Sequence, residues 1–88
     1  MVTCIIDGKK MTSRALAHQE IANAMELPVL YGSNLDALWD IVSTYDADMT
    51  LINAGAMLNA LQAYGCKILA TLYEAAETNE KFVFHVED

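Results

Sequence analysis

Short apolar runs alternate along this chain with longer stretches of helical periodicity. Three runs are short and rich in β-branched or aromatic side chains, which predicts β-strands over residues 2–6, 49–53 and 82–86. Between them, apolar residues recur at the i, i+3, i+4, i+7 spacing of an amphipathic helix. This periodicity predicts four helices, over residues 13–26, 33–43, 54–63 and 67–77.

Turn-forming and capping residues predict where these elements begin and end. The residue before a proline is disfavoured in helical space, so Pro28 is expected to end the first helix. Ser33 and Asp36 place a hydroxyl and a carboxylate three residues apart, which predicts a capping box at the start of the second helix. The pair Tyr64-Gly65 is expected to break the third helix, and Asn79 to end the fourth in a left-handed conformation.

The predicted element order is β-αα-β-αα-β, which indicates an α/β fold in a single domain over residues 1–88. Strands joined by helical crossovers run parallel, and such crossovers are right-handed. If the strands are ordered as in the sequence, the result is a two-layer, three-stranded parallel sheet with helices mainly on one face. Alternation along the strands then assigns Cys4, Leu51 and Phe84 to the helix side, and Thr3, Thr50 and His85 to the less covered side.

The composition is that of a small globular chain. Its 88 residues suit one domain, and an apolar share of 55% with a mean hydropathy of +0.23 excludes intrinsic disorder. No apolar run approaches the roughly 20 residues that a membrane-spanning helix needs. The N-terminal residues lack the basic lead and long apolar stretch of a signal peptide. We therefore expect a cytoplasmic protein that is monomeric when free and has no membrane partner.

The charge is strongly unbalanced, because twelve Asp and Glu residues stand against five Lys and Arg, for a net charge of −7. This balance argues against a nucleic-acid partner, since such proteins carry basic patches. Residues 15–66 contain no Lys or Arg but six carboxylates: Glu20, Glu26, Asp36, Asp40, Asp46 and Asp48. Two interpretations are open, namely a merely solvated surface and a single-sign patch that steers a basic partner by long-range attraction.

The two cysteines and two histidines form no recognisable metal or catalytic motif. Cys4 and Cys66 have neither CxxC nor zinc spacing, so two buried or half-buried free thiols in a reducing compartment are expected, with no metal or cofactor. A small enzyme using Cys66 with His85 as its base is a hypothesis without a supporting motif. His85 is more simply a partly exposed residue of the last strand.

The second helix carries the most specific chemistry in the chain. Asp36 and Asp40 are four residues apart and therefore lie on one helix face, opposite the apolar stripe of Leu35, Leu38 and Val42. Like charges at this spacing cost a few tenths of a kcal/mol. Asp36 has a structural explanation, because an anion in the first turn is favoured by the helix dipole. Asp40 has none, which indicates a binding role.

Paired carboxylates occur in several kinds of site. Glycosidases place them across a cleft, and calcium sites need more oxygen ligands in a dedicated loop, so neither fits one exposed helix face. The basic active site of a nuclease fits better. Carboxylates on a rigid helix can take the place of the substrate phosphate and form charge-assisted hydrogen bonds with its cationic side chains.

Residues 27–40 have the sequence LPVLYGSNLDALWD, and the first predicted helix contains the pair His18-Gln19. This segment closely resembles the barstar family, small intracellular inhibitors of barnase-type ribonucleases. The family pattern is Leu-Pro followed by Tyr-Gly-x-Asn-Leu-Asp-Ala-Leu-Trp-Asp, which this chain matches without a gap. The resemblance extends without insertion from the first strand to about Thr44, is weak over residues 45–65, and returns as a pattern in the last helix and strand.

The resemblance implies a barstar-like fold and a non-enzymatic inhibitor of a basic, extracellular-type, guanyl-specific ribonuclease. The partner-binding residues it implies are Tyr31, Gly32, Asn34, Asp36, Trp39, Asp40 and Tyr45. Some of these have alternative roles: Tyr31 and Gly32 as a plain turn, Asn34 as a cap, and Trp39 as a core residue. Tyr45 stands where the family has a tryptophan just after this helix.

Two departures from the family pattern bear on the partner. Leu30 replaces a tyrosine that precedes the Tyr-Gly pair. A simple alignment of the last helix places Ala75 where the family has a glutamate that pairs with a nuclease arginine, with Glu74 and Glu77 on neighbouring faces. The alternative function is therefore a barstar-like binding module for another basic protein or toxin that is not a ribonuclease.

Overall fold

The computed structural model describes residues 2–27 and 32–88, which fold into three strands and four α-helices. In chain order these are β1 (Val2–Asp7), a 3₁₀ turn (Gly8–Lys10), α1 (Arg14–Met25), α2 (Leu35–Val42), β2 (Ala47–Ile52), α3 (Ala54–Leu61), α4 (Ala63–Thr78) and β3 (Phe82–Val86). The predicted order of elements is thereby confirmed. No helix in the described ranges is long and apolar enough to cross a membrane.

The strands form one parallel sheet in the order β1-β2-β3. Cys4 pairs with Met49, which pairs with Phe84, so these three residues form a row across the sheet. All three are buried beneath the helices, as the alternation predicted for Cys4 and Phe84. The less covered face carries Thr3 and His85, both exposed. The two-layer architecture predicted from sequence is therefore the observed one.

The core is built from every element and lies between the sheet and the helices. Its buried side chains include a methionine from four different segments: Met11, Met25, Met49 and Met57. Methionine fills irregular gaps between packed elements. The core also takes Leu38 and Val42 from α2, and this burial attaches that short helix to the rest of the molecule.

The boundary between α3 and α4 differs from the prediction. Tyr64 and Gly65 do not break a helix; both lie in the first turn of α4, and the break falls at Gln62, whose φ is 55°. Gly65 is buried, and a Cβ there would lie 3.3 Å from Leu58 Cδ2. The glycine is thus explained by the close approach of α3 to α4, which the sequence pattern does not reveal.

The residues that end α1 and α4 adopt backbone conformations that differ from the predicted ones. Of the two hydroxyl residues that could cap α1, Thr12 and Ser13, it is Ser13 that does so, its Oγ accepting from Leu16 N at 3.1 Å. The helix ends at Met25 because Glu26 takes the left-handed conformation, with a φ of 56°; Pro28 lies outside the described residues. Asn79 is not left-handed, since its φ is −114°, and β3 begins three residues later at Phe82. β2 also begins earlier than predicted, at Ala47.

Both cysteines are free thiols, as predicted, but the expected burial is found for Cys4 and not for Cys66. Cys4 is buried. Its burial is the main cause that raises the pKa of its thiol, and the nearby negative charge of Asp48 raises it further. Cys66 is exposed on α4, which covers the inner face of the sheet, whereas His85 lies on the outer face with its Nε2 3.3 Å from Asp48 Oδ1. The two residues lie on opposite sides of the sheet and do not form a catalytic pair.

His18 is fully buried on α1, with its Nε2 2.7 Å from Tyr64 Oη. Burial lowers the pKa of His18, so the unfolded chain takes up a proton at a higher pH than the folded one. We therefore expect the contribution of His18 to the free energy of unfolding to be flat above pH 7 and to fall below pH 6.5, by up to about 1.4 kcal/mol per pH unit. Urea unfolding at pH 7.5, 6.5 and 5.5 measures this slope. The variant His18→Gln should reduce it, and an unchanged slope would exclude His18 as its source.

Candidate functional site

α2 is held to the core by one face and presents its carboxylates on the other. Leu38 and Val42 are fully buried, whereas Asp36 and Asp40 are exposed. This is the arrangement that the four-residue spacing predicted. Trp39 is half-buried and packs against the core beside the acidic face. A rigid attachment of this kind holds charged groups in place before any partner arrives.

The N-terminus of α2 is capped one residue later than predicted. Asn34, not Ser33, is the N-cap: its Oδ1 accepts from Ala37 N at 2.7 Å, and its Nδ2 donates to Gly32 O at 3.2 Å. Ser33 instead takes a φ of 54°, so the predicted capping box does not form. Asp36 is then the second helical residue, where its charge still complements the helix dipole.

Asp40 lies on the last turns of α2 with its carboxylate exposed and without a hydrogen bond to any described residue. Its backbone carbonyl also accepts from the hydroxyls of Ser43 and Thr44, both at 3.4 Å. These hydroxyl contacts help to terminate the helix and leave the carboxylate available. The Asp40 carboxylate therefore has no structural role in the described part of the chain, and its binding role stays a prediction.

Tyr45 connects the site to α1. Its hydroxyl donates to Met25 O at 3.1 Å, and its half-buried ring packs against the core. This gives Tyr45 a structural role, and its contact with a partner stays a prediction. Gly32 is exposed at the start of the site, where a Cβ would lie 3.1 Å from the Ala37 Cβ. The predicted contact residue Tyr31 and the departure at Leu30 lie outside the described residues.

Asn79 is a residue that sequence reasoning did not connect to the site. Its Nδ2 donates to Val42 O at 3.1 Å and to Tyr45 O at 2.9 Å, which links the end of α4 to the end of α2. No local sequence pattern predicts this role, because the hydrogen bonds join two segments that are more than thirty residues apart in the chain.

The position aligned with the family's last-helix glutamate is buried. Ala75 has no exposed surface, so an acidic side chain there would not reach a partner. Glu74 and Glu77 are the neighbouring acids on α4, and both are exposed. The departure at Ala75 therefore stays as the sequence gives it, with two exposed acids beside it on the same helix.

The charges are unevenly distributed between the two ends of the sheet. Met25 and Val42 end α1 and α2, and Asn79 directly follows α4. The hydrogen bonds above bring these helix ends together where the strands begin. We call this region the acidic end; its carboxylates are Glu26, Asp40, Asp46, Glu74, Glu77 and Glu80, beside a single Lys81. The other four basic residues, Lys9, Lys10, Arg14 and Lys67, lie on segments that follow the strands or begin helices.

Two other kinds of site, a metal site and a surface cleft, have less support in the described part of the chain. Residues 2–27 and 32–88 contain no group of three His, Cys, Asp or Glu side chains placed to hold a metal ion. An open cleft along α1 shares no residue with α2; its lining is Lys10, Leu16, Gln19, Glu20 and Asn23. The Glu20 carboxylate in this cleft already accepts a hydrogen bond from Asp7 N at 2.9 Å.

Comparison with known proteins identifies the family. The family model described as "Barstar (barnase inhibitor)" matches residues 1–88. A protein of Bacillus subtilis (strain 168), named "Putative ribonuclease inhibitor YrdF", is 33% identical over 76 residues, which cover 83% of this chain and 84% of that relative. The family match spans both the exposed acidic helix and the sheet beneath it. The chain belongs to the barstar family.

Proposed function

We propose that this chain is a protein inhibitor of a basic, guanyl-specific ribonuclease of the barnase type, and that it blocks the nuclease active site with the acidic face of α2. The observation that carries the proposal is the pair of exposed carboxylates, Asp36 and Asp40, on a helix whose opposite face is buried. Membership of the barstar family and the name of the B. subtilis relative support the inhibitory role.

The proposed mechanism is mimicry of the substrate's charge. A ribonuclease active site binds a phosphate with Arg, Lys and His side chains, and a carboxylate is a planar acceptor for the same donors. Asp40 would accept hydrogen bonds from this cationic cluster, and Asp36, one turn away, would extend the contact along the site. The inhibitor carries out no reaction; it occupies the place of the substrate.

Preorganisation favours such a complex. The cap at Asn34 and the buried side chains Leu38 and Val42 hold α2 before binding, so little conformational entropy is lost on association. Half-buried Trp39 would add an apolar anchor at the border of the contact. Glu74 or Glu77 on α4 would take the role of the family's last-helix glutamate, because both are exposed and Ala75 is not.

The direct test is an RNA-cleavage assay against a panel of microbial guanyl-specific ribonucleases. Stoichiometric inhibition of at least one nuclease is the expected result. If no nuclease in the panel is inhibited, the alternative role as a binding module for another basic protein gains support. Affinity capture from the source cell would then identify that protein. The proposed cytoplasmic location agrees with an inhibitor that protects the cell from its own nuclease.

The acidic end should also accelerate association. We expect the association rate constant with a basic nuclease to fall about tenfold or more between about 20 mM and 500 mM salt, because exposed charges are screened within a few ångströms at high salt. Stopped-flow fluorescence measures this rate. A rate constant that does not change between low and physiological salt would exclude long-range steering.

Two variants with the same net charge separate steering from total charge. Asp46→Asn removes one charge at the acidic end, whereas Glu87→Gln removes one at the far end of β3. Both residues are exposed. Steering by the acidic end predicts a larger decrease in association rate for Asp46→Asn than for Glu87→Gln. Equal decreases would indicate that only the total charge matters.

A further inference from the structure

The side chain of Asn79 joins three segments of the chain. Its Nδ2 group donates to the carbonyl oxygens of Val42 and Tyr45, at 3.1 and 2.9 Å, and its Oδ1 accepts from Lys81 N at 3.0 Å. Its backbone N–H and C=O are also bonded, within α4 and to the start of β3. Asn79 is half-buried, and both hydrogens of its side-chain amide are used in bonds to the end of α2 and the connection that follows it.

α2 depends on such a contact because it has only eight residues. Helices this short are not stable on their own, and their last carbonyl groups have no partner within the helix. Its N-terminus is held by a local cap, Asn34. Among residues 2–27 and 32–88, this bond from Asn79 to Val42 is the only hydrogen bond between α2 and a distant part of the fold, the segment that follows α4.

We propose that Asn79 is a positioning residue for the acidic face. By anchoring the last turn of α2 to the end of α4, it fixes Asp40, two residues before Val42, relative to Glu74 and Glu77 on α4. The two helices then present one rigid surface. The part of this inference that concerns binding rests on the proposed function; the anchoring of α2 does not.

The variant Asn79→Asp isolates this role, because aspartate has the same shape. It keeps an acceptor for Lys81 N but replaces the amide donor by an oxygen that faces the carbonyls of Val42 and Tyr45. The variant also adds a negative charge, which should raise the association rate with a cationic partner. A loss of affinity must therefore appear as faster dissociation.

Two measurements test the proposal. In the complex with an inhibited ribonuclease, we expect Asn79→Asp to raise the dissociation rate constant at least tenfold without lowering the association rate constant. The charge variant Glu87→Gln, on an exposed residue beyond β3, should keep the parental dissociation rate. A dissociation rate of Asn79→Asp within twofold of the parent would overturn the positioning role in binding.

The second measurement needs no nuclease. In native-state hydrogen exchange of the free protein, the backbone amides of Leu38–Val42 should lose at least tenfold more protection in Asn79→Asp than the amides of β2. Equal losses in α2 and β2 would mean general destabilisation and would overturn the anchoring. If Asn79→Asp does not fold, Asn79→Ser replaces it, since a hydroxyl is too short to span to α2. A parent chain that binds no ribonuclease would refute the proposed function alone, because hydrogen exchange still decides the role of Asn79.

Discussion

Gly8→Ala is expected to lower the free energy of unfolding by about 3 kcal/mol or more, and to lower Tm by at least about 12 °C. Gly8 is buried where β1 meets the loop after β2, and a Cβ there would lie 2.1 Å from Asn53 O and 2.8 Å from Asn53 C. These are backbone atoms, and a hydrogen bond from Asn53 Nδ2 to Asp7 Oδ1 at 2.9 Å holds the same two segments together. Thermal unfolding followed by circular dichroism measures the loss.

Gly55→Ala is the matched control. Its new Cβ would lie 3.0 Å from Asp88 Oδ1, the end of an exposed side chain, which can move. Alanine also favours the helical conformation of α3 over glycine, so the two effects oppose each other. We expect Gly55→Ala to remain within about 1 kcal/mol of the parent. A Gly8→Ala variant as stable as Gly55→Ala would contradict the close backbone contact.

The fold was largely predictable because its determinants are local. Alternation along the strands assigned Cys4 and Phe84 to the inner face and His85 to the outer, since the period of two depends only on strand geometry. Prediction failed at Gly65 because a glycine inside a helix and a glycine that breaks one have the same local pattern. The difference arises from Leu58, which packs against Gly65 from another helix.

In the candidate site, too, the features set by local sequence were largely predicted and those set by distant contacts were not. The exposed face of Asp36 and Asp40 follows from the helical repeat and was predicted. The cap was misplaced by one residue, because serine and asparagine are both strong N-caps and two of them are adjacent at Ser33 and Asn34. The anchoring by Asn79 was not predictable, since it requires knowing that the ends of α2 and α4 meet.

Asp40→Ala is expected to weaken inhibition of a cognate ribonuclease by about 100-fold or more, equivalent to about 3 kcal/mol. Its carboxylate would be desolvated against a cationic active site, and truncation would leave the partner's charges buried without a counter-charge. Losses of this size for a buried charge pair are known from a barstar-family complex, so the magnitude expected here is that of the family. The inhibition constant in an RNA-cleavage assay provides the measurement.

The ranking among acidic residues gives this prediction its control. Asp40 has no structural partner among the described residues, so Asp40→Ala should leave Tm within about 2 °C of the parent. Asp36→Ala should weaken inhibition less but lower stability by about 0.3–1 kcal/mol, because it removes an anion from the first turn of α2. Glu87→Ala makes the same change in net charge on an exposed residue beyond β3 and should inhibit as well as the parent. If Asp40→Ala and Glu87→Ala inhibit equally well, the acidic face of α2 is not the inhibitory surface, and the contact must be sought on another face of the domain.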